Sequence, residues 1–339
     1  MANPIEVLIT VPFSDPLLTT LHEVSPRLHF TLQPAHKPEE ISAEVWAKTE
    51  ILYTAHLLPE VEKVSNLRWI QFHFSGIDFI SQSPLLEKPG LIVTNLSGAN
   101  SIQVAEYVVM MMLALGHKLP DLMANQAKTE WPRDRSERFT PNELYRSTVG
   151  IIGYGSGGRQ IARLLQPFGV NILAIKRDVL HPQDAGYIQN GLGDPEGNLF
   201  TRLYPVQALK SMLHQCDFIV VTIPLTPTTR NLIGMEELAV VKPTAVLIDI
   251  SRGGIVDHDD LIAALQEHRL AGAALDVFPE EPLPPSSPLW RMPNVMVTPH
   301  ISGMSQFYNE RAVALFAENI NRYLEGLQLY NLFDPAIGY

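Results

Sequence analysis

The sequence predicts an α/β protein built from two open, parallel sheets. Short runs rich in branched residues alternate with helix-like stretches, first near the start of the chain and again after residue 147. The runs of the second series are apolar throughout, which is typical of strands buried on both faces. A length of 339 residues suffices for two domains, each with its own core.

Strand-helix-strand units favour right-handed crossovers, so the strands of each series should lie parallel. The first series comprises Ile5 to Thr10, Leu28 to Gln33, Ile51 to Ala55, Leu67 to Phe74 and Leu91 to Asn95. The second comprises residues 148–153, 171–175, 218–224, 245–251, 272–278 and 295–300.

Two helices and one long connection complete the expected outline. Tyr107 to Gly116 is apolar on every face but about half the length of a bilayer span, so it predicts a buried helix and not a transmembrane one. A subunit contact is the second interpretation of this helix. Ser305 to Leu327 has apolar residues at helical spacing and should be amphipathic. Asp178 to Pro205 is an unusually long connection, and such loops are commonly functional or mobile.

Composition excludes several classes of function. The formal net charge of −11 and the absence of a dense basic stretch argue against nucleic-acid partners. The single cysteine, Cys216, cannot form an internal disulfide, and the first residues lack the pattern of a signal peptide. The expected location is therefore cytoplasmic, with no membrane partner.

A glycine-rich turn follows the first strand of the second series. Residues 153–158 read GYGSGG and precede a predicted helix, Arg159 to Phe168. In such a turn the first glycine permits a tight bend, the second admits a pyrophosphate and the third lets helix and strand pack closely. A glycine-rich turn alone can be only a turn, but this strand-turn-helix context predicts a dinucleotide site. Its residues are Gly153, Gly155, Ser156, Gly157 and Gly158.

The next strand ends in two cations, Lys176 and Arg177, where an NAD site normally places an acid. Cations at this point suit a 2′-phosphate, with Arg177 offering bidentate geometry and Lys176 a point charge, so the sequence favours NADP. If the strand ends slightly later, Asp178 takes the acidic role and NAD becomes the cofactor. The structural alternative is that both cations are only solvated at a strand end.

Three segments near strand ends supply an arginine, a carboxylate and a histidine. Arg252 could clamp a carboxylate, and His300 could protonate a carbonyl oxygen as hydride reaches the adjacent carbon. Glu281 could bond the other imidazole nitrogen, fixing the tautomer and favouring the protonated ring. Each residue alone has a structural explanation as a salt bridge, a surface charge or a strand-end group. Their joint placement predicts reduction of a 2-oxo acid.

These segments resemble the D-isomer-specific 2-hydroxyacid dehydrogenase family. The resemblance rests on GYGSGG, PLTPTTRNLIG (224–234), SRGGIVD (251–257), ALDVFPEEPLP (274–284), SPLW (287–290) and PNVMVTPH (293–300). FSGID (74–78) and VTNLSGANSIQVAEY (93–107) match more loosely. The resemblance implies a Rossmann cofactor domain, residues 101–303, inserted into a flavodoxin-like substrate domain, residues 1–100 plus 304–339. It also implies an active site in the cleft that closes around substrate.

The resemblance also implies roles for individual residues. Arg252 would bind substrate, Glu281 would tune the histidine and His300 would be the proton donor and acceptor. Substrate contacts would come from Ser75, Gly76, Ile77, Arg252 and His300, with backbone amides around Gly76 and Ile77 holding the carboxylate. Further cofactor contacts would come from Val104, Thr222, Pro224, Ile250, Arg252, Asp276 and His300. No metal is expected. A homodimer formed through the cofactor domain is expected.

The implied activity is NAD(P)-dependent, D-specific reduction of a small 2-oxo acid, with glyoxylate or hydroxypyruvate as the first expectation. Two departures stand out: the cationic pair at 176–177, and Gly116-His117-Lys118 where many members carry an arginine after the preceding helix. One alternative is the same fold acting on phosphoglycerate, formate or phosphite. Another is a dinucleotide-sensing regulator, against which the presence of Arg252, Glu281 and His300 argues.

Overall fold

The computed structural model describes residues 4–339 and divides them into two compact units. One unit contains the residues up to Asn100 together with Ser305–Tyr339, and the other is Ser101–Met304. The chain therefore leaves the first unit once and returns to it with its last helix.

Twelve strands and ten α-helices lie within residues 4–339. The strands are β1 (Ile5–Ile9), β2 (Leu28–Leu32), β3 (Ile51–Thr54), β4 (Trp69–Phe72), β5 (Ile92–Thr94), β6 (Thr148–Ile152), β7 (Asn171–Ile175), β8 (Arg202–Tyr204), β9 (Phe218–Val221), β10 (Val246–Asp249), β11 (Gly272–Leu275) and β12 (Val295–Val297). The helices are α1 (Asp15–His22), α2 (Ala43–Lys48), α3 (Ser101–Gly116), α4 (Leu119–Ala127), α5 (Arg135–Arg138), α6 (Ser156–Leu165), α7 (Leu209–Leu213), α8 (Met235–Leu238), α9 (His258–Gln266) and α10 (Tyr308–Glu325).

The first unit is a five-stranded parallel sheet in the order β2-β1-β3-β4-β5. Its strands bury both faces, because one apolar cluster includes Phe316 and Ile320 of α10 and the other includes Trp46 of α2. Helix α10 packs beside α1, so the last helix completes one face of the sheet begun by the first residues.

The second unit is a seven-stranded parallel sheet in the order β12-β11-β10-β9-β6-β7-β8. Alternate residues of each strand face opposite clusters: Phe218 of β9 packs with α3 and α6, whereas Ile219 packs with α7 to α9. The strand order reverses between β6 and β9, which is where open α/β sheets form their ligand crevice. The doubly wound parallel architecture predicted from the sequence is confirmed in both sheets.

The long connection is not wholly irregular, which corrects the sequence prediction for Asp178 to Pro205. Residues 202–204 form the edge strand β8, paired in parallel with β7 from Leu173 to Ile175. A strand of three residues is too short to show a period of its own, so only its neighbour reveals it. The apolar run Tyr107 to Gly116 lies in helix α3, which begins at Ser101 and ends at Gly116.

No single helix within residues 4–339 is both long and apolar enough to cross a membrane. Helices α3 and α4 would reach that length and composition only when joined across their 62° bend.

Candidate active site

The glycine turn between β6 and α6 has the geometry that its sequence predicts. Gly153 lies in the left-handed region, with φ of 105°, and a Cβ there would stand 2.6 Å from the Thr222 carbonyl oxygen. At Gly158 a Cβ would stand 2.1 Å from the Gly153 carbonyl oxygen, because the helix begins directly against the strand. Neither position can therefore hold a side chain without moving backbone.

Gly155 differs from both of these glycines. Its backbone is extended, and a Cβ would meet nothing within 4 Å, so the space in front of it is open. Helix α6 begins at the next residue, Ser156, and its first N–H groups favour an anion. Thr222 and Val104 border the turn, at 3.3 Å and 3.7 Å from the position of a Gly157 Cβ. The residues present fit the pyrophosphate of a dinucleotide.

The end of β7 faces the long connection. The Lys176 ammonium donates to the carbonyl oxygens of His181 and Gln183, and burial followed by the charge of Arg159 lowers its pKa. Asp178 Oδ1 accepts from the backbone N–H groups of Leu180 and His181, at 3.0 and 3.3 Å, and its Oδ2 lies 2.6 Å from His181 Nδ1. Asp178 is thus engaged in its own turn, while Arg177 is exposed.

His300 and Glu281 form a direct pair. His300 Nδ1 lies 2.8 Å from Glu281 Oε2, and both side chains are partly exposed, at 44% and 36%. The second oxygen of Glu281 accepts from the Phe278 backbone N–H at 2.9 Å, which fixes the carboxylate. An imidazole bonded to a carboxylate through Nδ1 directs Nε2 outward as the proton-transferring atom.

Asp276 organises the loop that carries His300. Its Oδ1 accepts from Thr298 Oγ1 at 2.7 Å and from the Ile301 N–H at 2.8 Å, and its Oδ2 accepts from the Ser302 N–H at 2.8 Å. The Tyr107 hydroxyl lies 2.6 Å from Thr298 Oγ1, and burial raises its pKa well above the usual range. The buried carboxylate of Asp276 therefore holds the Thr298 side chain before His300 and the backbone after His300.

Arg252 lies in the loop after β10, half buried, and its Nη1 donates to the Ser251 carbonyl oxygen at 2.8 Å. This loop touches the one after β11: a Cβ on Gly253 would stand 2.0 Å from the Phe278 carbonyl oxygen. Because Phe278 also bonds Glu281, the loops bearing Arg252, Glu281 and His300 form one contiguous group at the carboxyl ends of β10 to β12.

The remaining positions expected to contact cofactor lie at the same edge of this sheet. Ile250 is almost fully buried at the end of β10, and the Pro224 carbonyl oxygen accepts from Thr229 Oγ1 at 2.7 Å in the loop after β9. Within the described residues, no group of three or more His, Cys, Asp or Glu side chains is placed to hold a metal ion.

The first unit carries the loop expected to hold a carboxylate. Ser75 Oγ lies 3.0 Å from the Leu96 carbonyl oxygen and 3.1 Å from Asn100 Oδ1, and Ile77 is buried. His73, just before this loop, is bonded through Nδ1 to the Tyr53 hydroxyl at 2.7 Å, and burial lowers its pKa to about 4. The Tyr308 hydroxyl donates to the His73 carbonyl oxygen at 2.6 Å, so the loop has a fixed start.

Sequence reasoning overlooked Tyr107, Thr298 and Arg159. The first two meet across 191 positions, which no local pattern reveals. The one sequence signal for Arg159 is that it is a cation in the first turn of the helix after the glycines. The structure shows that only 1% of its surface is exposed.

A family model described as "D-isomer specific 2-hydroxyacid dehydrogenase, NAD binding domain" matches residues 109–302, more than half of the chain. A glyoxylate reductase of Thermofilum pendens is 32% identical over 331 residues, covering 96% of this chain and 93% of the relative. A D-3-phosphoglycerate dehydrogenase of Methanocaldococcus jannaschii is 35% identical over 266 residues, covering 78% of this chain. The match covers 47% of that relative, so the chain spans about half its length.

Among solved structures, a D-isomer specific 2-hydroxyacid dehydrogenase of Xanthobacter autotrophicus in complex with NADPH and MES superposes with a TM-score of 0.80. It is 27% identical, and the alignment covers 100% of both chains. The glycine turn, the His300–Glu281 pair and these similarities agree, and the chain belongs to the D-isomer specific 2-hydroxyacid dehydrogenase family.

Proposed function

We propose that this chain is an NAD(P)-dependent dehydrogenase that interconverts a small 2-oxo acid and its D-2-hydroxy acid. The observation that carries the proposal is the His300–Glu281 pair, which holds an imidazole with its proton-transferring nitrogen outward beside the Arg252 loop. Glyoxylate reductase activity in the Thermofilum pendens relative and NADPH in the Xanthobacter autotrophicus structure support it.

The roles follow from the chemistry of each group. The bound nicotinamide supplies or accepts the hydride. Arg252 binds the substrate carboxylate and polarises the carbonyl, and we also propose substrate contacts from Ser75, Gly76 and Ile77. His300 donates the proton to the carbonyl oxygen during reduction and removes it during oxidation. Glu281 holds the imidazole in one tautomer and stabilises its cationic form.

We further propose NADP(H) as the preferred cofactor. Asp178 is the one acid that could replace the usual ribose ligand, and its carboxylate is engaged by two backbone N–H groups and His181. Arg177 is exposed two residues after the end of β7, and a guanidinium matches a phosphate in bidentate geometry. The alternative, NAD, requires Asp178 to leave its turn.

The first unit favours an uncharged substrate side chain. The loops after β1, β3, β4 and β5 (residues 10–14, 55–60, 73–77 and 95–100) contain no lysine or arginine. Beside Ser75, the His56 ring packs 4.9 Å from Phe74 and 4.8 Å from Phe79, and partial burial lowers the His56 pKa. A phosphorylated side chain would find no cation there. We therefore propose glyoxylate or hydroxypyruvate, and not the phosphorylated substrate that the Methanocaldococcus jannaschii relative's name implies.

We propose a homodimer formed through the second unit. Apolar side chains are exposed along α3, α4 and the segment after them: Met110 is 51% exposed, Met123 55% and Trp131 85%. Exposed apolar side chains on neighbouring elements are typical of a subunit interface. We also propose a cytoplasmic location, which the lone cysteine supports: Cys216 is buried and cannot form the internal disulfides typical of secreted proteins.

The test is the absorbance at 340 nm with NADPH or NADH and a panel of glyoxylate, hydroxypyruvate, phenylpyruvate and 3-phosphohydroxypyruvate. We expect NADPH oxidation with glyoxylate or hydroxypyruvate and little with the phosphorylated acid. His300→Ala should lower kcat by about 100-fold or more while the Kd for NADPH stays within twofold, because general acid catalysis contributes that much to rate and little to cofactor affinity. Turnover unchanged by His300→Ala would remove His300 from the mechanism.

A further inference from the structure

The connection between β7 and β8 is a folded strap, which we define as residues 178–199. Its two limbs meet where the Asp184 N–H donates to the Pro195 carbonyl oxygen at 3.0 Å. Gly197, with φ of 67°, packs so tightly that a Cβ would stand 2.2 Å from the Pro182 carbonyl oxygen. The strap is therefore closed on itself.

Arg159 fastens the strap to the dinucleotide helix. Its Nη1 donates to the Asp194 carbonyl oxygen at 2.6 Å, and its Nη2 donates to those of Pro182 and Gln183 at 2.6 and 3.1 Å. Its Nε pairs with the Asp184 carboxylate at 3.4 Å. Nε makes no hydrogen bond, but the three carbonyl oxygens and the Asp184 carboxylate offset much of the cost of burying the guanidinium, so Arg159 stabilises the strap in this conformation.

The rest of the same helix holds the far limb. Gln160 Oε1 accepts from the Gly193 N–H at 2.7 Å, and Arg163 Nε donates to the Gly193 carbonyl oxygen at 2.8 Å. Asp194, itself buried, accepts from the Tyr154 hydroxyl at 2.7 Å and from the Leu199 N–H at 3.0 Å. Tyr154 lies inside the glycine turn, which links the strap to that turn directly.

The near limb reaches the end of β7. The Gln183 carbonyl oxygen receives bonds from both Arg159 on α6 and Lys176 after β7. Gly153 and Tyr154 of the glycine turn in turn donate to the Ile175 carbonyl oxygen, at 3.2 and 3.0 Å. Residues 181–184 thus lie beside the corner between the glycine turn and the end of β7. A dinucleotide's adenosine ribose binds at this corner.

We propose that the strap determines selection for the 2′-phosphate of the cofactor, with Arg159 and Lys176 as positioning residues and Arg177 as the phosphate ligand. The inference rests on the proposed function, because it concerns the cofactor assigned there. It revises the role first expected of Lys176, whose ammonium is directed to the strap. The first turn of the strap, Asp178 to His181, follows Arg177 directly in the chain and is closed by the bonds of its N–H groups and imidazole to the Asp178 carboxylate.

The experiment compares equilibrium binding of 2′,5′-ADP and 5′-AMP, which differ only in the 2′-phosphate, by isothermal titration calorimetry. The wild type should bind 2′,5′-ADP at least tenfold more tightly. Arg159→Met should reduce that ratio at least fivefold while leaving the Kd for 5′-AMP within threefold. Arg202→Met is the matched control: Arg202 lies on β8 over the Tyr204 ring, 4.6 Å away, and the ratio should be unchanged.

An equal loss of both ligands in Arg159→Met would show damage to the glycine turn and would overturn the proposal, as would an unchanged ratio. Should Arg159→Met fail to fold, Asp184→Asn decides, since it removes only the ion pair to Arg159. A ratio lowered at least twofold supports the proposal, and an unchanged one overturns it. Turnover plays no part, so binding selectivity without any reduction of 2-oxo acids would overturn the dehydrogenase assignment alone. A wild type indifferent to the 2′-phosphate would overturn both the strap's role and the preference for NADP(H), and would leave the dehydrogenase assignment standing.

Discussion

His300 has φ of 52°, in the left-handed region that residues with a Cβ seldom adopt. A conformation of this kind costs on the order of 1 kcal/mol and persists only where neighbouring bonds hold it. Here Asp276 accepts from the two residues that follow, and the His300 N–H donates to the Thr298 carbonyl oxygen at 3.1 Å. The unusual backbone directs the imidazole to Glu281, so Asp276 contributes to the geometry of the pair without touching it.

Asp249, at the end of β10, is the buried acid that provides a pH-dependent prediction. Burial raises its pKa to about 7, and the charge of Asp276 adds to this, whereas hydrogen bonds from Ser251 oppose it. Its Oδ2 has no hydrogen-bond partner within the described residues. Because the folded state holds this proton more tightly than the unfolded state, Asp249 makes the protein less stable as pH rises from about 4 to 7.

Asp249→Asn should remove that pH dependence. Relative to wild type, the free energy of unfolding of the variant should rise by roughly 2 kcal/mol between pH 5 and pH 8. Urea titrations at both pH values measure the difference. Glu325→Gln, at an exposed carboxyl group, is the control and should show no such change. A constant difference between wild type and Asp249→Asn at both pH values would mean that Asp249 is already ionised at pH 5.

At the scale of elements, β6, the glycine turn and α6 form one unit whose two sides differ in function. The turn faces the space in front of Gly155, whereas Arg159, Gln160 and Arg163 of α6 hold the strap. The apolar side chains of this amphipathic helix pack in the core, and its polar side chains bind the strap.

Substitutions at two glycines of this element should distinguish effects on stability from effects on cofactor binding. Gly155→Ala should leave the Tm within about 2 °C, because a Cβ there meets nothing, but should raise the Kd for NADPH at least tenfold by filling the space of the pyrophosphate. Gly158→Ala should lower both the Tm and the affinity, because its Cβ would collide with the Gly153 carbonyl oxygen. Thermal unfolding and NADPH fluorescence measure the two quantities. Tight NADPH binding by Gly155→Ala would place the pyrophosphate elsewhere.

At the scale of the whole molecule, each unit is a complete sheet with helices on both faces, and the second unit leaves apolar side chains uncovered on α3 and α4. Helix α3 has features of both structures predicted from its sequence, a buried helix and a subunit contact. Val108, Met111 and Met112 are buried in the core of the unit, whereas Met110 is exposed.

The uncovered surface predicts the oligomeric state. Light scattering after size exclusion should give twice the mass of the 37.8 kDa chain. Met110→Glu combined with Met123→Glu should give a monomer, because a buried unpaired charge strongly opposes association. Leu327→Glu, at a residue 50% exposed in the first unit, should remain a dimer. A monomeric wild type, or a dimeric double variant, would exclude this surface as the interface.

The sequence by itself determined the two parallel sheets, the glycine turn and the residues of the proposed acid-base group. These features depend on local information: strand periods, glycines that alone fit a tight turn, and motifs at strand ends. The short strand β8, by contrast, exists only because β7 offers it a pairing edge.

Only the tertiary structure shows what Arg159, Lys176 and Asp276 contact. Arg159 meets the strap 23 to 35 positions away, and Tyr107 meets Thr298 across 191. The positive charge of Lys176 predicted a phosphate contact. The groups that accept its hydrogen bonds are backbone carbonyl oxygens, which the sequence does not reveal. Side-chain chemistry can be inferred residue by residue, but the partner of a buried polar group depends on which distant backbone the fold brings beside it.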